Sequence, residues 1–180
     1  DYKCNRCSKK IDKDVRAIMP VHLFGNPCQM EAILDFAQKF KLKIIEDACQ
    51  AHGASFKKRQ VGSFGMAGAF SFYPTKNLGG FGDGGMVTTN DAKVAMKVRS
   101  LRHGGQTKRF WHKYLGINSR LDELQAAILE AKLAYLETEN RQREKLVQRY
   151  KNALSSLPIK FQKILPEARS CYHLFVIRTK

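Results

Sequence analysis

The chain lacks any apolar run near the roughly 18–20 residues that a bilayer-spanning helix needs, which excludes an integral helical membrane protein. No secretory signal opens it. Its five cysteines (Cys4, Cys7, Cys28, Cys49 and Cys171) are odd in number and irregularly spaced. They form no disulfide framework, and a reducing, cytoplasmic compartment fits best. Cys4 and Cys7 make one C-x-x-C, but no second Cys or His pair follows at finger spacing. A structural zinc site needs four ligands, so two free thiols are the better reading and no metal is expected. Acids are scarce: 16 Asp and Glu face 32 Lys and Arg, a net +16. Residues 93–120 hold eight bases, among them Arg99, Arg102, Lys108, Arg109, Lys113 and Arg120, and no acid. Such an excess fits nucleic acid, a membrane surface, phosphorylated small molecules or a solvated helix face. No helix-turn-helix, zinc-finger or RNA-binding signature accompanies it, so no nucleic-acid partner is expected.

What is present is ordinary for a globular protein: 43% hydrophobic and 10% aromatic residues over 180 positions. Intrinsic disorder is excluded as the main character, and the length allows one domain or one plus part of another. Ala17–Phe24 is apolar and ends at Gly25-Asn26-Pro27, as a buried strand would, although Pro20 cannot donate to a ladder. Met30, Ile33, Leu34, Ala37 and Phe40 then recur at helical spacing, followed by a short strand ending in two acids, Lys43–Asp47. Strand, helix and strand make a βαβ unit and favour a parallel sheet. Ala69–Tyr73 and Met86–Thr89 read as further strands, and Asn90 as the cap of a helix over about 91–102 that Gly104 ends. Ser119–Asp122 has a capping-box pattern with Asp in place of Glu or Gln. The helical pattern after it runs with little interruption to about Leu157. Tyr172–Ile177 reads as the first strand of a second domain.

In an open α/β sheet, ligands collect at the carboxyl ends of the strands. Asp47 sits at such an end, where an acid is a metal ligand, a base, the partner of a cationic ring nitrogen, or only a cap on the following loop. Lys76 follows the next apolar strand among apolar, aromatic and small neighbours. A lysine so placed loses hydration, which favours the free amine that Schiff-base chemistry needs; an isolated lysine is more often a snorkelling surface residue. Glycines at 79, 80, 82, 84 and 85 let backbone approach a ligand, as they also do in hairpins. The combination is stronger than its parts. An acid ends one strand, a serine (Ser71) lies 24 residues on, and a lysine follows five residues later. Pyridoxal phosphate needs a carboxylate at its ring nitrogen, an amine for its aldehyde and donors for its phosphate.

Three stretches carry a resemblance: Ile45–Gly53 (IEDACQAHG), Phe70–Gly85 (FSFYPTKNLGGFGDGG) and Gly116–Ala127 (GINSRLDELQAA). In order and spacing they closely resemble the DegT-type nucleotide-sugar aminotransferases, which are pyridoxal-phosphate enzymes of fold type I. The resemblance implies an α/β architecture. Residues 1–130 would be part of the large cofactor-binding domain, with a mixed, mostly parallel sheet and flanking helices. Residues 131–157 would form a linking helix, and 158–180 the beginning of a small C-terminal α/β domain. It implies that Lys76 holds the cofactor and moves a proton, Asp47 pairs with the ring nitrogen, Gln50 bonds the phenolic oxygen and Ser71 binds the phosphate. Asn118 would reach the phosphate from a neighbouring subunit, making a homodimer with a shared site; Arg120 is a weaker candidate near that interface. Relatives that dehydrate sugars carry histidine at the lysine position, so Lys76 favours transamination. The flanking Tyr-Pro-Thr-Lys-Asn-Leu-Gly and Gly-Asp-Gly-Gly look more like enzymes that aminate a 3-keto sugar.

The expected reaction therefore moves an amino group, with glutamate as the expected donor, onto a nucleotide-linked keto-6-deoxy sugar for amino sugars of surface polysaccharide or related glycans. Family members are about twice as long. Their N-terminal phosphate-binding glycine/threonine turn and ring-stacking aromatic have no counterpart before Ile11, and most of the small domain is missing. The start at Asp1 and the end inside an apolar run read as a piece of a longer protein. The alternative is a truncated, non-catalytic or regulatory member without a complete site.

Overall fold

The βαβ pattern of residues 17–47 folds as such in the computed structural model, which describes residues 14–179. The chain begins with β1 (Ala17–Ile18), a 3-10 turn (Leu23–Gly25), α1 (Met30–Lys39) and β2 (Lys43–Asp47). Next come β3 (Ser55–Phe56), β4 (Arg59–Gln60), β5 (Ala67–Ser71), β6 (Gly85–Thr88), α2 (Ala92–Leu101), β7 (Gln106–Lys108) and β8 (Trp111–His112). The rest is α3 (Glu123–Leu133), α4 (Leu136–Ala153), β9 (Lys160–Phe161), β10 (Ala168–Arg169) and β11 (Ile177–Arg178). Cys4 and Cys7 lie outside the described residues.

The main sheet has the order β1-β2-β5-β6. β1 and β5 both run parallel to β2, and β6 runs antiparallel to β5. Asp47 pairs with Ala69 in this register, so β2 ends beside the last residues of β5. The fold is α/β, mixed and partly parallel, as expected. On one side of the sheet α1 contributes Met30 and Ala37 to a core with Ile44 and Phe56. Phe72, Leu78 and Leu129 form a second cluster, which fastens α3 to the loop after β5. Among the described residues no helix is long and apolar enough to cross a membrane, and no group of His, Cys, Asp and Glu could hold a metal ion.

Several local expectations change. The strand expected over 17–24 shrinks to Ala17–Ile18 and a single bridge from Val21 to Asp47. Pro20 has no N–H for the ladder, and the chain then turns through Phe24 at φ 61°. β5 starts two residues early, where Ala67 pairs with Ile45, and ends two residues early, because Phe72 and Gly80 close a loop by a 2.8 Å backbone bond. The cap of α2 is Asp91 rather than Asn90: its Oδ1 accepts from the Lys93 amide at 2.7 Å and the Val94 amide at 3.4 Å.

The Ser119 capping box does not form. Ile117 and Ser119 donate instead to Leu101 and Arg102 at the end of α2, and this holds the segment extended. α3 therefore begins only after Asp122, whose side chain makes no capping bond. The long helical pattern breaks at Ala134–Tyr135, where the Tyr135 amide reaches back to Lys132 in a tight turn. The strand expected over 172–177 survives only as β11, which pairs with β9. Tyr172 has φ 46°, and Cys171 and Leu174 donate to Gly25 and Phe24 rather than to a ladder.

Candidate active site

Successive side chains of a strand point to opposite faces, so the adjacent acids of β2 must part company. Glu46 faces inward and is fully buried. Its Oε1 accepts from the Phe64 and Gly65 amides at 2.7 and 2.8 Å, and its Oε2 from the Gly62 amide at 2.7 Å. His22 completes the set: its Nδ1 accepts from the Cys28 amide, so Nε2 carries the proton and donates to Glu46 Oε2 at 3.1 Å. Burial pushes the Glu46 carboxyl up, but the His22 hydrogen bond and the Gly65 and Gly62 amides outweigh it and hold it below its ordinary value. Glu46 is a structural acid that folds the 61–65 loop against the sheet.

Asp47 takes the other face and is only half-buried. The Cys49 amide holds its Oδ1 at 3.1 Å, and the Cys49 thiol also faces the carboxylate. Because Asp47 pairs with Ala69, and Ser71 lies two residues further on β5, Asp47 and Ser71 share one face at the carboxyl edge of the sheet. Gln50 follows in the turn after β2. Its Oε1 accepts from the Phe24 amide at 2.7 Å, which pins the strained Phe24-Gly25 turn and leaves both Nε2 hydrogens to donate elsewhere.

Lys76 lies in the loop that Phe72 and Gly80 close, half-buried, with its amide on the Tyr73 carbonyl at 2.9 Å. Its Nζ makes no hydrogen bond or ion pair among the described residues. α3 braces the loop, Lys132 Nζ bonding the Gly79 carbonyl and Gln125 Oε1 accepting from the Phe81 amide at 2.8 Å. Ser71 Oγ accepts from the Tyr73 amide at 3.3 Å, so its proton remains free to donate.

Asn118 stands apart. It is exposed, its Oδ1 accepts from Arg120 Nε at 3.1 Å, and no hydrogen bond joins it to the other four residues. Beside it the basic stretch forms α2 and the β7–β8 hairpin. No base of residues 93–120 has a carboxylate partner among the described residues, and Phe110, Trp111, Leu115 and Ile117 are exposed.

Sequence reading missed the side chains behind the site. His52 is 3% exposed, packs against Phe70 and Phe72, and neither ring nitrogen makes a hydrogen bond of ordinary geometry to the described residues. Burial pushes it down to about 4, the Ser71 main chain acting the other way and His173 and Lys76 adding to the fall. The unfolded chain takes up a proton near pH 6.5 that the folded chain refuses until about pH 4. Stability therefore falls by up to about 3 kcal/mol as pH drops through that window. Thermal melts between pH 7.5 and 4.5 check this, and His52→Phe should flatten the slope; an unchanged slope would count against a neutral, buried His52.

The comparisons with known proteins bear on this edge. The model of the DegT/DnrJ/EryC1/StrS aminotransferase family matches residues 3–180. A dTDP-3-amino-3,4,6-trideoxy-alpha-D-glucose transaminase of Streptomyces venezuelae is 44% identical over 96% of the chain and 46% of that protein. A dTDP-3-amino-3,6-dideoxy-alpha-D-galactopyranose transaminase of Aneurinibacillus thermoaerophilus is 46% identical over 97% and 48%. The crystal structure of S. venezuelae DesV, in complex with a ketimine intermediate, superposes with a TM-score of 0.88 at 46% identity, over 91% of this chain and 44% of that one. The chain spans about half the length of the curated relatives it matches.

Proposed function

We propose, for a chain that belongs to the DegT/DnrJ/EryC1/StrS aminotransferase family, that the protein moves an amino group from an amino acid onto a nucleotide-linked keto-6-deoxy sugar. Glutamate is the expected donor and C3 the expected position. The product would be an amino sugar for surface polysaccharide or related glycans. The observation that carries this reading is the shared face of Asp47 and Ser71 at the carboxyl edge of β2 and β5, with Lys76 following on a braced loop. C3 transaminases among the relatives support the position.

The donor set fits pyridoxal phosphate. It offers a half-buried carboxylate at the end of a strand, an amide whose acceptor is already engaged, a hydroxyl with a free proton, and an amine with no hydrogen bond or ion pair among the described residues. When bound, that group supplies an electron sink for the carbanion formed at the amino carbon. Lys76 Nζ would hold the aldehyde carbon and then carry the proton between substrate and cofactor carbons. Asp47 would keep the ring nitrogen protonated, because an adjacent carboxylate favours the charged form. Gln50 Nε2 would donate to the phenolic oxygen and Ser71 Oγ to the phosphate.

In this reading the exposed Asn118 serves the neighbouring subunit's site. The exposed apolar residues beside it would be covered in a homodimer, and α4 links the large domain to the beginning of the small one. The bases of 93–120, none of which has a carboxylate partner among the described residues, suit the diphosphate of the sugar nucleotide. A reducing, cytoplasmic setting agrees with the cysteines among the described residues, Cys28, Cys49 and Cys171, all of which are free.

Amino transfer tests the reading. The intact protein, loaded with cofactor, should pass 15N from labelled glutamate to C3 of a nucleotide-linked 3-keto-6-deoxy sugar. Label on a 4-keto isomer alone would move the assignment to C4, and label on neither would reject it.

A further inference from the structure

Asn140 lies on α4, 64 residues beyond Lys76, and is only 3% exposed. Its Nδ2 donates to the His52 carbonyl at 2.8 Å, at the end of the turn that follows Asp47 and carries Gln50. Its Oδ1 accepts from Asn77 Nδ2 at 2.8 Å, and Asn77 is the residue after Lys76. Asn77 is 5% exposed and is itself bonded on both sides. Its Nδ2 also donates to the Cys171 carbonyl at 2.9 Å, and its Oδ1 accepts from His173 Nδ1 at 3.1 Å. The contact with the Asp47 turn is close: a Cβ on Gly53, which has φ 80°, would stand 2.7 Å from Asn140 Nδ2. One buried amide on α4 therefore ties the turn that follows the acid to the loop that bears the amine. Every polar atom in this relay is satisfied by a protein partner, which makes its geometry stiff.

We propose that Asn140 is a positioning residue: through Asn77 it sets where Lys76 points relative to Asp47, and so couples α4 to the lysine without touching the reacting atoms. The proposal rests on the reading of Lys76 as the cofactor-bearing amine. Without Asn140, Asn77 loses one of its buried partners and the Lys76 loop gains freedom.

The test uses Asn140→Ala and Asn140→Ser in the intact protein, each alone and in an Asn77→Ala background. Two readouts are taken. In cofactor-free protein, acylation of Lys76 is followed by peptide mass mapping against exposed Lys93 as internal standard. In loaded protein, kcat and KM for the nucleotide sugar are measured. Asn140→Ala should speed Lys76 acylation at least fivefold and lower kcat about tenfold, with KM within twofold; Asn140→Ser should fall between it and the parent. In the Asn77→Ala background both effects should shrink to less than twofold, since residues acting through one relay are not additive. Unchanged acylation and kcat beside a lower melting temperature would reduce Asn140 to a packing residue. Effects of full size in the Asn77→Ala background would reject the route through Asn77. If the protein transfers no amino group at all, the functional reading fails, and the acylation arm still decides the positioning claim.

Discussion

Lys76→Ala is expected to lower amino transfer by about 10⁴-fold or more, because in the proposed function Lys76 is both the cofactor's covalent partner and a positioned proton carrier, the latter alone worth about 10²–10⁴-fold. The fold should survive. Lys76 Nζ has no partner among the described residues, and its loop is held by main-chain bonds and by α3 through Gln125 and Lys132. A melting temperature within a few degrees of the parent, beside the loss of turnover, would separate chemistry from stability. Addition of a small primary amine should restore part of the proton transfer in the variant. Turnover within tenfold of the parent would remove Lys76 from the reaction.

The second large effect falls on the neighbouring acid of β2. Glu46→Gln changes one atom, yet it should destabilise the protein by about 3–5 kcal/mol, since breaking a buried charged network strands the groups left behind. The carboxylate accepts from three backbone amides and from His22, and an amide offers only one oxygen. Whichever way it turns, its NH₂ faces two donors. Denaturant unfolding measures the loss, and a cost below about 1 kcal/mol would contradict this network. The pH sign follows from the lowered Glu46 carboxyl. Its stabilising contribution is complete above the ordinary carboxylate range and is lost as pH falls through the lower folded value. It thus adds to the acid sensitivity expected of His52. The contrast between two adjacent acids is itself informative: Glu46 holds the structure, and Asp47 takes the opposite face, that of the proposed site.

Part of this was legible in the residues. The βαβ unit declared itself because Met30, Ile33, Leu34 and Ala37 keep helical spacing between two apolar strands, and Asp47 therefore fell at a carboxyl edge. The placement of Ser71 and Lys76 on the next strand and loop followed in the same way, although β5 lies two residues earlier than its apolar stretch suggests. Alternation along β2 says that Glu46 and Asp47 face opposite ways, but it does not say which face meets a loop and which a ligand. That depends on Gly62, Phe64 and Gly65 arriving from elsewhere in the chain. The cap of α3 was misread because the competing bonds from Ile117 and Ser119 come from the end of α2, a tertiary contact with no local trace. Asn140 was invisible for the same reason. An asparagine in a long polar helix reads as solvated surface until the folded chain brings Asn77 and His52 against it.

In the proposed function the amine of Lys76, beside the carboxyl edge of β2 and β5, is where the cofactor is held. Hydride reduction of the loaded intact protein, followed by peptide mass mapping, tests it most directly, because reduction makes the bond between cofactor and amine permanent. One phosphopyridoxyl adduct is expected, on the peptide containing Lys76, and none in Lys76→Ala. An adduct on another lysine, or no adduct in protein that still transfers amino groups, would contradict it.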